Sequence, residues 1–282
     1  MAEPSVLLAL PLGAIVGLVL GLTGAGGSII AVPLLMAGLG WSLTTAAPIA
    51  LVAVASSAAY GAYTAWKLSY VRYRAAMLMA AFGIMTAPAG IAATKFFQAD
   101  QLTVLFAGVM IIVATRMFAQ AIQSPNDTRV LRATVHGDGA RSRGPLCRLN
   151  QETGRIIWTP LSFSVMSTIG AITGFLSGLL GVGGGFVIVP SLRAATELSI
   201  HSAIATSLMV IALVSTGTVA IMLINGQPFA WAFAMPFVAG SMAGMWGGRL
   251  IAPKIAGPLL QKSFSVVLLG ISLYLIVRYI AK

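Results

Sequence analysis

The segment LTGAGGSIIAVP at residues 22–33 returns in altered form as LLGVGGGFVIVP at residues 179–190. A constant shift of about 157 positions superimposes Gly24 on Gly181 and continues without a gap through the segments that follow. A repeat of this length predicts two homologous halves in one chain. Hydrophobic segments that glycine interrupts at corresponding positions of two halves are typical of the binding site of a secondary transporter.

The composition assigns the chain to a membrane. Hydrophobic residues make up 58% of it and charged residues only 8%, with a mean hydropathy of +0.95. This balance is too apolar for a soluble domain, so we expect an all-α polytopic membrane protein. Apolar stretches long enough to cross about 30 Å of hydrocarbon occupy 43–66, 75–94, 101–123, 200–224, 229–251 and 258–280. The glycine motifs lie in two further apolar segments, 5–38 and 161–192.

One polar segment separates the two halves. Residues 124–159 hold six arginines against three acids and include turn-forming runs such as HGDGARSRGP. We therefore predict a first transmembrane repeat over 1–123, a basic cytoplasmic linker over 124–159 and a second repeat over 160–282. Positive charge holds such a linker at the cytoplasmic face. Nucleic-acid binding is not expected, because no aromatic side chains alternate with the arginines.

The positive charges also bear on how the repeats are oriented. If each glycine segment enters the membrane and returns as a re-entrant hairpin, each half has three full spans and the halves are inverted. All but Lys95, Arg278 and Lys282 of the 17 lysines and arginines then lie on the cytoplasmic side. If each glycine segment crosses once, the halves are parallel and the residues on the opposite side are Lys95, Arg193, Arg249, Lys254 and Lys262. The positive-inside bias favours the inverted arrangement with both termini outside, and the parallel one is the alternative.

The dense glycine runs at 24–27 and 181–185 predict a break in each segment, since glycine permits backbone conformations that expose consecutive N–H groups. A short helix that starts near Ser28 or Gly185 directs unpaired N–H groups and its positive dipole end into the break, which favours an anion. Irregular backbone is tolerated inside a membrane only where it is buried or lines a cavity, so we expect the breaks to meet in a central pocket. The alternative role is close helix packing, which we favour for the glycines at four-residue spacing: Gly13, Gly17, Gly170, Gly174, Gly240, Gly244 and Gly248.

The predicted substrate-binding residues combine the glycine runs with polar groups at the start of the spans that follow. They are Gly24, Gly26, Gly27, Ser28, Thr44, Thr45, Gly181, Gly183, Gly184, Gly185, His201 and Ser202. Hydroxyl groups can donate to an anion, although in membrane helices they also bond across an interface or to their own turn. His201 aligns with Thr44 and is either an interfacial residue at a helix end or a substrate contact that carries a proton.

The positions of the acidic and histidine residues constrain the mechanism. All six acids fall in termini, loops or span ends, which leaves no carboxylate for a proton relay in the middle of the membrane. We expect no enzyme, because the two histidines have no acidic or metal-binding partner in the sequence. No metal or other cofactor is predicted, and the lone Cys147 excludes an intrachain disulfide. The sequence carries no signal for an oligomeric state.

These residues resemble the TauE/SafE sulfite exporter family, also called the four-toluenesulfonate uptake permease group. Members have two homologous multi-span halves, each opening with a G-x-G-G motif followed by Val-Pro, as at 24–33 and 181–190 here. The resemblance covers nearly the whole chain and implies a carrier that exports sulfite or a small organosulfonate across the bacterial inner membrane. Its expected partners are that small anion and the lipid bilayer. Ser28 departs from the pattern, since the second copy has Gly185 in its place. Helix N–H groups do not distinguish sulfonate from carboxylate, so a carrier or channel for another small anion is the alternative.

Overall fold

The computed structural model describes residues 4–24, 26–68, 70–123, 158–196, 198, 200–227, 229–251 and 257–280. Within these ranges the chain forms ten α-helices and a single 3-10 turn, Thr94–Phe96, and contains no β-strand. The helices are α1 Pro4–Thr23, α2 Gly26–Leu39, α3 Leu43–Lys67, α4 Tyr73–Ala93, α5 Ala99–Gln123, α6 Pro160–Leu180, α7 Gly185–Ala195, α8 Ile200–Ile224, α9 Trp231–Ile251 and α10 Gly257–Ile280. Nearly all of the predicted linker, 124–157, lies outside the described residues.

Five of the described helices, α3, α4, α5, α6 and α8, are long and apolar enough to cross a membrane. Four of them fall on spans that the sequence predicts. The fifth, α6, opens the predicted segment 161–192, and its 21 residues give a length of about 30 Å, enough to cross by itself. Whether 161–192 forms a re-entrant hairpin stays a prediction. The predicted spans 229–251 and 258–280 form α9 and α10. The chain is a multi-pass helical membrane protein.

Helices from the two predicted halves pack against each other in pairs. The main pairs are α1 with α9, α4 with α6, α3 with α8 and α5 with α10. The short helices α2 and α7 contact each other and lie beside α3 and α8, respectively. The outer helices present apolar side chains such as Met85, Ile112 and Val266 to the surroundings, as a lipid-facing surface requires. Buried residues are concentrated in α2, α3, α6 and α8.

Glycines allow the closest of these crossings. They stand at four-residue spacing on α1, α6 and α9, and a Cβ atom on any of them would collide with a carbonyl oxygen of the opposing helix. They are Gly13, Gly17, Gly21, Gly170, Gly174, Gly178, Gly240, Gly244 and Gly248. Because the obstacle is backbone, it cannot rotate away, and only glycine permits this approach. The packing role predicted from the spacing is confirmed for seven of these nine glycines, and Gly21 and Gly178, which were not predicted to pack, extend the same faces.

The central pair, α3 and α8, runs in opposite directions. Val54 of α3 and Ile211 of α8 lie on the same residue, Gly183. Two turns further along α3, Gly61 lies against Leu208, which is one turn back along α8. Contacts that move forward along α3 therefore move backward along α8, which makes the two helices antiparallel. Both 25-residue helices meet Gly183 near their midpoints.

The first two helices form a hairpin. Gly27, at the start of α2, packs on Val16 and Leu20 in the second half of α1, whereas Gly38, near the end of α2, lies against Leu12. The helix α2 therefore runs back along α1 in the opposite direction. This return brings the start of α2 into the interior, where residues 27–33 are all buried.

Candidate substrate site

The first predicted break lies between α1 and α2. The helix α1 ends at Thr23, Gly24 has a φ of 73°, and α2 starts at Gly26. The N–H of Gly24 donates to the carbonyl of Leu20 at 2.8 Å, and its own carbonyl accepts from Ser207 Oγ at 3.3 Å. The left-handed φ favours glycine. The predicted break at the first glycine run is confirmed, and Ser207 of α8 ties it to the second half.

The second break follows α6 and is more strongly turned. Gly181, Gly183 and Gly184 have φ values of 69°, 70° and 64°. Each is in the left-handed region, where a residue with a side chain is strained. The helix α7 then starts at Gly185. This break is also confirmed, and three of its glycines are required by the backbone itself.

The starts of α2 and α7 are in contact. Ser28, in the first turn of α2, is fully buried, and its Oγ lies 3.3 Å from the position that a Cβ would take at Gly185. The first turn of α7 has no side-chain cap. The first N–H groups of a helix have no partner within it and carry the positive end of its dipole. The structure thus brings Ser28 together with the residues at 183–185.

The walls around Gly183 come from the two central helices. Val54 and Ile211 supply apolar side chains, and Ser215 Oγ lies 2.6 Å from the position of a Cβ at Gly183. Ser215 is fully buried, and its Oγ has no hydrogen-bond partner among the described residues. The second break is therefore a largely apolar environment that contains an unpaired hydroxyl group.

Ser215 is absent from the residues predicted from sequence. That prediction takes only the hydroxyl groups that directly follow each motif, and Ser215 lies near the middle of α8. A helical spacing was the available signal: Ser207, Ile211 and Ser215 recur every four residues and share one face of α8. Ser207 contacts the first break and Ser215 the second. This face of α8 connects the two breaks.

The predicted residues Thr44 and Thr45 lie at the edge of the second break. They precede by about one turn Ala47, on which Gly181 packs. Both side chains are exposed, and both hydroxyls are bonded to Ser42 Oγ at 2.9 Å. In this arrangement they belong to the N-terminal cap of α3 and do not face Ser28 or the start of α7.

His201 and Ser202 occupy the corresponding place in the second half. They precede by a turn Ile204, on which Gly24 packs. The His201 side chain is exposed and its ring centroid lies 6.2 Å from that of Tyr70. Ser202 is buried. His201 therefore lies at the rim of the first break, and its role as a substrate contact stays a prediction.

Basic side chains gather at the end of the molecule where α3 and α9 finish. Arg249 Nη1 donates to the carbonyl of Gly61 at 2.5 Å. The backbone N–H of Arg72 donates to Thr206 Oγ1 at 3.1 Å, and Lys67 Nζ lies over the ring of the nearby Tyr63. Positive charge at one end of a helical membrane protein is typical of the cytoplasmic face, and the assignment of this end to the cytoplasm stays a prediction.

The acidic residue within the described ranges is Asp100, in the first turn of α5. Its position at a helix end agrees with the sequence analysis. The other acids lie outside the described residues. In the part of the chain that is described, the groups beside the two breaks are backbone amides, hydroxyls and apolar side chains.

A helical membrane protein in which two glycine-broken helix starts meet inside the bundle has the construction of a transporter. A family comparison agrees, since the model for the sulfite exporter TauE/SafE matches residues 9–275. The chain belongs to this family of membrane transporters.

Similar proteins are known from bacteria. A probable membrane transporter protein of Xylella fastidiosa is 29% identical, with 99% of this chain and 97% of the relative covered. The probable membrane transporter protein YunE of Bacillus subtilis is 27% identical, with 94% of this chain and 95% of the relative covered. No solved structure matches the chain significantly.

Proposed function

We propose that the protein is a secondary transporter that exports sulfite or a small organosulfonate across the bacterial inner membrane. The observation that carries the proposal is the contact between the starts of α2 and α7 at the two glycine breaks, in a chain of the TauE/SafE family. Helix N-termini attract anions through unpaired N–H groups and the helix dipole. The sulfur chemistry of the substrate rests on the description of the family.

The two repeats are inverted in this proposal. The helices α3 and α8 correspond in the sequence repeat, and their antiparallel crossing supports a two-fold axis in the membrane plane. In the sequence repeat α1 corresponds to α6, and α4 corresponds to α9. The packing of α1 on α9 is therefore matched by the packing of α6 on α4. Five helices in each half then put both termini on the side opposite to the basic linker, which lies in the cytoplasm.

The covered state of the second break favours a carrier over an open channel. Gly183 and Gly185 pack directly on Ile211, and Val54 closes the same space from α3. An anion of several atoms reaches the first turn of α7 only when α7 and α8 move apart. Such a site is loaded by a conformational change, as alternating access between two repeats requires.

A ligand screen on the purified full-length protein tests the substrate class. We expect sulfite and methanesulfonate to raise the thermal unfolding temperature more than acetate or chloride does at equal ionic strength. A ligand at 100 times its Kd adds about 2.7 kcal/mol to the free energy of unfolding, because it binds only the folded state. Equal or greater stabilisation by acetate would instead assign a carboxylate, and stabilisation by none of the anions would contradict the proposal.

A further inference from the structure

The two breaks are not equivalent in their hydroxyl groups. The position that corresponds to Ser215 in the first half is Ala58, and the position that corresponds to Ser28 in the second half is Gly185. Ser28 nevertheless lies beside the second break, because its Oγ is 3.3 Å from the Cβ position of Gly185. Both hydroxyl groups therefore border the start of α7, one from each half.

Ser215 differs from the other hydroxyl groups of α8. Ser207 Oγ donates to the carbonyl of Ile204 at 2.8 Å, and Thr218 Oγ1 donates to that of Val214 at 2.8 Å. Ser215 Oγ is equally buried and has no partner within the described residues. An unsatisfied buried hydroxyl lowers stability, so its presence needs an explanation such as a bound ligand. The hydroxyl lies 2.6 Å from the Cβ position of Gly183, two residues before α7 begins.

We propose that a single oxyanion binds at the second break, held by the first turn of α7, which has no side-chain cap, and by Ser215 Oγ, with Ser28 lining the same space. This inference rests on the proposed function and places the anion site at the second of the two breaks. Sulfite and sulfonates carry three oxygens on one centre, so different oxygens of one anion can accept from the α7 N–H groups and from Ser215 Oγ. The chain therefore binds one anion although it carries two glycine motifs.

Ser215→Ala tests the role of the hydroxyl, with Ser167→Ala as its matched control. Ser167 Oγ is also buried and unpartnered within the described residues, but it lies in the first half of α6. Calorimetric titration of the purified protein with sulfite and with methanesulfonate gives affinity and stoichiometry. We expect Ser215→Ala to weaken binding of both probes by roughly tenfold or more, as loss of a hydrogen bond to a charged group does. Ser167→Ala should bind like wild type, with one anion per chain.

The thermal stability of the ligand-free variants separates a binding role from a structural one. Ser215→Ala removes an unsatisfied group, so the unliganded variant should unfold at the same temperature as wild type or above it. Wild-type affinity in Ser215→Ala, or two anions per chain, would overturn the site while leaving the proposed function intact. Absence of binding by either probe to the wild-type protein would overturn both.

Discussion

Gly185→Ala is the substitution that places a methyl group into the proposed site with the least disturbance of the fold. Gly185 is the first residue of α7, and its φ lies outside the left-handed region that Gly183 and Gly184 occupy. The new Cβ would collide first with Ile211 Cδ1, and it would lie 2.7 Å from Ile211 Cγ1 and 3.3 Å from Ser28 Oγ. Ile211 is a side chain and can change its rotamer, whereas a Cβ at Gly184 would meet the backbone carbonyl of Thr173.

The expected effects on stability and binding differ in size. Overpacking against Ile211 costs about 1–3 kcal/mol, less than the whole stability of a typical folded protein. The variant should therefore remain folded. In the site, the methyl group keeps the anion from the first N–H groups of α7. Loss of one hydrogen bond to a charged group costs about 1.5–3 kcal/mol, which weakens binding roughly 10- to 100-fold.

The assay is titration of purified wild-type and variant protein with methanesulfonate, together with their thermal unfolding. Gly247→Ala in α9 is the matched control, because a Cβ at Gly247 meets no atom within 4 Å. We expect the control to retain both affinity and stability. If Gly185→Ala binds methanesulfonate as tightly as Gly247→Ala does, the start of α7 is not the anion site.

Two further predictions concern topology and packing. A reporter fused after Lys282 should be periplasmic and one inserted within 124–159 cytoplasmic, as inverted repeats with a basic linker require; cytoplasmic signals at both positions would restore parallel repeats. Ser57 Oγ donates to Ser241 Oγ at 2.8 Å inside the bundle, and Ser241 Oγ lies near two backbone carbonyls as well. Ser241→Ala leaves the Ser57 hydroxyl buried without its partner and should cost about 1–3 kcal/mol, more than Ser57→Ala at about 1 kcal/mol. Thermal unfolding of both variants checks this order, and a larger loss in Ser57→Ala would contradict it.

Much of the fold is encoded in local sequence. The run at 24–27 and the one at 181–185 lie where helices end and restart, because consecutive glycines remove the penalty for left-handed backbone. Four-residue glycine spacing identifies the faces on which helices approach most closely, as at Gly17 and Gly244. Length and hydropathy locate the main apolar helices. Each of these sequence signals depends only on residues that are close together along the chain.

The candidate site depends on contacts that span the whole sequence. The four-residue spacing places Ser215 on the same face of α8 as Ser207, but only the packing of α8 shows that this face meets Gly183. Thr44 and Thr45 lie at the start of the span that follows the first motif, where a substrate contact is predicted, yet their hydroxyls bond to Ser42. Whether a hydroxyl faces a break or caps its own helix is decided by packing. Sequence therefore predicts the breaks more reliably than the side chains that surround them.

Counterflow of sulfite in proteoliposomes tests the central claim most directly. Vesicles that contain the full-length protein are loaded with unlabelled sulfite, and the entry of labelled sulfite is followed under oxygen-free conditions. A carrier with a covered site must rearrange for each anion, so we predict saturable entry that internal sulfite accelerates and internal acetate does not. Entry that rises linearly with concentration and does not respond to internal sulfite would contradict a sulfur-anion carrier.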